Sequence, residues 1–299
     1  MINRDYLLKA IDSSKQIRVF IAHTTAVVEE AHRRHHTSAT ASAALGRVLT
    51  AALMMGSDLK GANDALTIRI NGNGPAGTII ASTDSQGNVR GLVSTPEADL
   101  PERMPGKLDV GGLVGQVGEL EVIKDIGLKQ PFTGKVPLVS GEIAEELASY
   151  YLKSEQSPSL VSLGVLVDTD LSIKAAGGLF VQALPEADLE FLAQIEANIL
   201  EMGTISELMK NHERLEDILN LVFAGIPYNL VGEQSLAFKC TCSRDRLAVV
   251  MSSFTMEEIY DIYRSESKLE LTCNFCNEVY CFEPEEIEAV KKQKALDII

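Results

Sequence analysis

Hydrophobic positions change their spacing several times along the 299-residue chain, and each change predicts a different element. From Ser38 to Leu59, SATASAALGRVLTAALMMGSDL is rich in Ala, Leu and Met with small residues throughout, which predicts a closely packed helix. After Gly61 the runs shorten to strand size. TIRI, TIIASTD and VRGLV are separated by NGNGPAG and SQGN, the signature of a hairpin or meander. GELEVIKDIG predicts a further strand. Ser140 is then the expected cap of a helix through GEIAEELASYYLKSEQ, with Ile143, Leu147 and Tyr151 on one face. VSLGVLVDTDLSIKAAGGLFVQAL predicts two strands about Asp168 to Asp170. The fold class expected is α+β: a mixed α/β N-terminal core with antiparallel-rich sheets.

From Pro185 to about Phe223 the texture is helical. Leu192, Ile195, Ile199 and Met202 recur at spacings of three and four, and Leu215, Ile218, Leu219 and Val222 form a second stripe; Gly203 and Asn211 interrupt the two. Such amphipathic helices need a surface to lie on. The length suits two domains, or two plus a linker. The expected division is a core over 1–184, a helical linker over 185–233 and a small C-terminal module over 234–299.

Gly72, Gly74 and Gly77 satisfy the G-x-G-x-x-G spacing of dinucleotide sites. That chemistry needs a helix N-terminus after the glycines to hold a pyrophosphate. Pro75 and the β-branched TIIAST predict another strand there, so a hairpin loop is expected.

Charge narrows the function classes. With 27 Lys and Arg against 42 Asp and Glu the net charge is −15, which repels phosphate backbones, and 5% aromatics with no Trp leaves little to stack on bases. No nucleic-acid partner is expected. Arg33 and Arg34, set among His32, His35 and His36, read as a solvated helix face. No apolar run approaches the ~18 residues that cross a bilayer, the longest candidate lying around Leu160 to Val167, so no membrane partner is expected. MINRDYLLKAIDSSKQ lacks an apolar h-region and a small-residue cleavage site, which makes the cytoplasm the expected address.

All five cysteines fall at the end of the chain: Cys240, Cys242, Cys273, Cys276 and Cys281. FKCTCSRDR carries a Cys-x-Cys pair and LTCNFCNEV a Cys-x-x-Cys pair, with LELTC, NFCN and EVYCF reading as strand, knuckle and strand. Clustering in such a chain favours metal or redox chemistry over a structural disulfide framework. Four soft sulfur donors suit tetrahedral zinc. A unit of this size buries too little apolar surface to fold easily unaided, and a structural zinc supplies folding free energy of about 10–16 kcal/mol in small modules. A purely structural module is one reading. A redox switch is the other, because each pair is local enough to oxidise without its partner. Cys281, between Tyr280 and Phe282, is expected to be buried packing.

Cys-x-Cys, a 30-residue spacer and Cys-x-x-Cys, together with CSRDR and SGEIAEELASYYLKSEQSPS, resemble the redox-regulated 33 kDa chaperonin family over essentially the whole chain. The resemblance implies an ATP-independent holdase and not an enzyme. It implies one zinc per chain held by Cys240, Cys242, Cys273 and Cys276 in a reduced, inactive form. Oxidation would pair Cys240 with Cys242 and Cys273 with Cys276, release the zinc and loosen the module and linker. The implied partners are unfolded or partly folded clients and, on activation, a second copy of the chain. The linker stripes, Leu192 through Met202 and Leu215 through Val222, are the candidate client surface, freed from the core by oxidation. Two rivals remain at this point: a zinc-ribbon nucleic-acid module, and a thiol oxidoreductase using Cys273 and Cys276.

Overall fold

A computed structural model describes residues 4–185 and 187–296, with side chains described through residue 293. The chain divides into two compact units, Met1–Lys239 and Cys240–Ile299.

The first unit opens with a hairpin of β1 (Tyr6–Asp12) and β2 (Ile17–His23), then α1 (Thr25–His35) and α2 (Ala39–Gly56). A meander follows: β3 (Ala65–Asn71), β4 (Thr78–Asp84) and β5 (Asn88–Val93). After the short α3 (Val110–Val114) come β6 (Glu119–Asp125), β7 (Phe132–Pro137), α4 (Ile143–Lys153), β8 (Ser159–Val167) and β9 (Ile173–Ala183). Three helices succeed them, α5 (Leu189–Glu201), α6 (Ile205–Asn211) and α7 (Leu215–Val222), and the unit closes with β10 (Tyr228–Ser235) and β11 (Ala237–Phe238).

Two sheets result, in the orders β10-β1-β2-β9-β8 and β11-β5-β4-β3-β6-β7. All pairings are antiparallel except β11 with β5. α2 touches strands of both sheets, and its residues are buried along almost its whole length. Ser38 caps it, accepting from Ala41 N at 3.1 Å. Contrary to the expectation that no run approaches membrane length, α2 is long and apolar enough to cross a bilayer; its most apolar window is 83% buried inside the fold.

The two sheets differ in how they are covered. β4 alternates half-buried and buried positions, as a strand with one covered face must. The five-stranded sheet is packed on both faces. Leu7, Phe20 and Ala22 join the cluster around α2, while Tyr6, Leu8, Ala10, Val19 and Ile21 join a second cluster with α5, α6 and α7. Its inner strands β2 and β9 therefore read as nearly continuous apolar runs.

The glycine loop after β3 leads straight into β4, as the hairpin reading requires. A Cβ at Gly74 would lie 2.5 Å from the Leu113 carbonyl oxygen, so the loop backbone rests directly on α3. Ser140 does not cap α4. Instead the buried Glu146 carboxylate turns back and accepts from Val139 N at 2.7 Å, Ser140 N at 2.8 Å and Gly141 N at 2.7 Å. Ile143, Leu147 and Tyr151 are buried on one face. The basic cluster is only partly solvated: Arg33 and Arg34 pair with Glu30, whereas His35 is buried.

The second unit comprises α8 (Arg244–Met251), α9 (Met256–Glu266), β12 (Leu269–Thr272), β13 (Val279–Phe282) and α10 (Pro284–Leu296). Among the described residues its apolar cluster is Ala248, Met251, Ile259, Leu269, Phe282 and Ile287, all buried.

Candidate metal centre

The LELT and VYCF strands form an antiparallel hairpin pairing Leu269 with Phe282 and Thr272 with Val279. The intervening knuckle follows from local backbone bonds. Cys273 N donates to Glu278 O at 2.9 Å, and Cys273 O accepts from Cys276 N at 3.2 Å and Asn277 N at 2.8 Å. Asn277 takes the left-handed conformation (φ 55°) that such a turn needs and that Asn tolerates. Cys273 and Cys276 are thereby aimed from one turn.

Cys240 and Cys242 come from the extended stretch ahead of α8, and the residues after them hold it in place. Ser243 caps α8 through Arg246 N at 3.3 Å. Arg246 Nη1 donates to Thr241 O at 2.7 Å, between the two cysteines. Arg244 forms a two-bond pair with Glu286 of α10 at 2.9 and 2.7 Å and lies over the Phe282 ring at 4.8 Å. The CSRDR run thus caps, clamps and anchors one side of the cluster.

The four sulfurs lie within 4.8 Å of one another, and the thiols are free. Cys240 Sγ is 3.8 Å from Cys273 Sγ, and Cys242 Sγ is 3.4 Å from Cys276 Sγ. A tetrahedron of sulfurs with metal–sulfur bonds of about 2.3 Å has edges of about 3.8 Å. The donor set and its spacing therefore fit one tetrahedral metal ion.

Surroundings separate the thiols. Burial pushes the Cys273 and Cys276 thiols above the ordinary range. Burial also acts to raise Cys242, but hydrogen bonds from the Tyr280 hydroxyl (3.4 Å) and the neighbouring sulfurs outweigh it and bring that thiol below its usual value. Tyr280, through the same bond to Cys242, is pushed up to about 12. Neither Tyr280 nor the Arg246 clamp was singled out from the sequence; the signal available for the first was its place in a one-faced hairpin.

Cys281 corrects the expectation of buried packing. It is exposed, with Sγ 3.6 Å from Glu270 Oε1. The hairpin buries one face only, the larger Phe282 takes it, and strand alternation turns Cys281 outward.

The helical stretch also departs from expectation. It holds three helices, since Ile205, Leu208 and Met209 of α6 contribute buried side chains between the two stripes. Ile195, Leu215, Ile218, Leu219 and Val222 are buried against the five-stranded sheet, and Leu192, Ile199 and Met202 pack partly buried beside them. Residues from Tyr228 are not helical: β10 pairs with β1 and β11 with β5, and residues 234–239 fall in the first unit.

A family model described as Hsp33 protein matches residues 5–283. The 33 kDa chaperonin of Desulforamulus reducens is 46% identical over 290 residues, covering 97% of this chain and 98% of that one. That of Clostridioides difficile is 41% identical over 290 residues, covering 97% and 99%. The crystal structure of the 33 kDa chaperonin of Thermotoga maritima matches with a TM-score of 0.88 at 38% identity, over 98% of this chain and 99% of that one.

Proposed function

The chain belongs to the Hsp33 protein family, whose members among its relatives are named 33 kDa chaperonins, and we propose that it is a redox-switched, ATP-independent holdase. Family membership supports the coarser statement by itself: this is a chaperone, with unfolded polypeptides as its partners. The finer reading rests on the convergence of four sulfurs within 4.8 Å.

In the reduced state Cys240, Cys242, Cys273 and Cys276 hold one zinc ion, and the chaperone is off. The bound ion supplies cross-linking between the Cys-x-Cys stretch and the knuckle, which the small apolar cluster alone holds weakly. One peroxide takes two electrons from each pair of thiolates, its O–O bond breaks, and with two protons from solvent it leaves as two waters while the S–S bond forms. The family resemblance implies that Cys240 pairs with Cys242 and Cys273 with Cys276, each couple being local in sequence. No thiolate then remains to bind metal, the module loses its staple, and the linker of residues 185–233 loosens.

That linker buries apolar stripes against the five-stranded sheet, so its release uncovers contiguous apolar surface on both partners. We place clients on Leu192, Ile195, Ile199, Met202, Leu215, Ile218, Leu219 and Val222, and expect a homodimer in the active state. A functional division into core, linker and zinc module belongs to the same proposal, with the module beginning at Cys240 where 234 was expected, as does a cytoplasmic address, where thiols stay reduced until stress.

Zinc released to a chromophoric chelator, followed alongside free-thiol titration during peroxide treatment at mildly raised temperature, tests the switch. One zinc lost as four thiols disappear is expected. Thiol loss with the metal retained would contradict it.

A further inference from the structure

β8 is an outer strand of the five-stranded sheet, and the direction of each of its backbone groups can be fixed. Ala183 N donates to Pro158 O at 3.1 Å, and the register runs from Ser159↔Gln182 to Leu166↔Ala175. Antiparallel pairs alternate between bonded and non-bonded. Leu160, Ser162, Gly164 and Leu166 therefore bond to β9, and the N–H and C=O groups of Val161, Leu163 and Val165 point away from it. The other side of β9 gives the same phase: Leu184 N donates to Gln16 O at 2.8 Å and Thr24 N to Ala176 O at 2.9 Å, so its even-numbered residues serve β2.

A groove of about 800 Å³ runs along this edge from Ser162 to Val167. One wall is α2 with Ala39, Ala43 and Arg47; the other is the α5–α6 turn with Thr204 and Ile205. Natural edges are normally blunted by charges, proline or bulges. From Leu160 to Leu166 β8 carries neither charge nor proline, and its single register shift comes only at Leu166/Val167. β9 is buried nearly throughout, whereas most of β8 stays half-exposed. In the groove wall the buried Arg47 Nε has no hydrogen-bond partner.

We infer that the free edge of β8 is a docking site for an extended strand of an unfolding polypeptide, with the α5–α6 turn as its gate. Outward N–H and C=O groups at alternate residues match an extended backbone and nothing else of comparable length. Charge narrows the occupant further. Arg47 is matched by Glu142 at 2.6 Å and Asp168 by Lys174 at 2.6 Å; Glu207 leaves with the gate, and Glu102 with Lys107 leaves the open groove uncharged in a chain of net charge −15. The site therefore takes neutral or basic apolar strands. The gate is close-fitting: a Cβ at Gly164 would lie 2.7 Å from Ile205 Cγ2 and 2.8 Å from Ser206 N, so α6 sits directly on the strand. Loosening of residues 185–233 removes this wall. The inference rests on the holdase reading for its ligand and its gating.

The test uses the oxidised full-length protein and a fluorescent peptide of alternating valine and threonine flanked by lysines, read by anisotropy. N-methylation of alternate peptide amides on the bonding side is expected to weaken binding at least about tenfold, since it removes the backbone bonds and keeps the side chains. Val165→Pro, which removes an outward N–H and leaves the β9 ladder intact, is expected to weaken it similarly, with circular dichroism confirming the fold. Equal binding of methylated and unmethylated peptide, or no binding of either, overturns the edge site. Oxidised protein that suppresses client aggregation yet binds both peptides equally sinks the edge site alone. Oxidised protein that fails to suppress aggregation sinks the holdase reading, and the methylation difference still decides the edge.

Discussion

Within Met1–Lys239, α2 lies between two sheets and is enclosed by one of the two large apolar clusters; within Cys240–Ile299, six buried apolar side chains among the described residues, drawn from the hairpin and three helices, form the cluster. For its length the first unit encloses about twice as many apolar side chains as the second, so burial offsets less of the second unit's chain entropy. What the second has instead is four sulfurs within 4.8 Å. Stability from area is insensitive to redox state. Stability from thiolates is lost when they oxidise, so the contrast puts the fragile part of the molecule where the oxidant acts.

The largest effect should come from removing the staple. Cys273→Ser with Cys276→Ser, or strong chelation of the reduced protein, is expected to cost the second unit on the order of 10 kcal/mol and unfold α8, α9 and α10. Hydrogen exchange should show those helices unprotected while β1, β2 and β9 stay protected. Protection retained in α8–α10 would show that the apolar cluster suffices.

Next in size is Met209→Ala, at a fully buried position in the second cluster of the first unit and outside the eight proposed client contacts. A loss of about 2–5 kcal/mol in urea denaturation is expected, together with client binding under reducing conditions, because the helical layer then leaves the sheet without oxidation. Destabilisation with no gain of binding would separate the linker from the client surface.

Glu146→Gln probes the first unit by a polar route. A buried carboxylate accepting three backbone N–H groups is expected to contribute about 1–3 kcal/mol, with no change in zinc content. A change in metal stoichiometry would mean that the two units are not independently held.

The finest predicted effects lie at the cluster's edge. Tyr280→Phe removes the 3.4 Å hydrogen bond to Cys242 Sγ, so zinc-loaded reduced protein should give up its metal to a chelator somewhat faster. An unchanged rate of zinc transfer would contradict a supporting role for Tyr280. Cys281→Ser, at an exposed position, should change stability by no more than about 0.5 kcal/mol and leave the zinc content as it was.

The elements that were legible in the sequence are those whose burial follows one period. β3, β4 and β5 alternate because one face is covered, and the glycine turns mark their ends. β1 and β2 were not singled out, because a sheet packed on both faces shows no alternation: IRVFIA is apolar on either side. β10 escaped because its partner, β1, lies more than two hundred residues away and its own residues are largely exposed. In the cluster the four cysteines declared themselves by spacing, whereas Cys281 was misplaced because alternation alone does not say which face of a hairpin is inside.

The central claim is tested most directly by light scattering from a thermally unfolding client enzyme, without ATP, in the presence of reduced zinc-loaded protein or of protein oxidised by peroxide at mildly raised temperature. Suppression by the oxidised protein only, reversed by a thiol reductant, is the predicted result. Equal suppression by both forms would leave a chaperone whose four-cysteine centre is purely structural, and would contradict the switch.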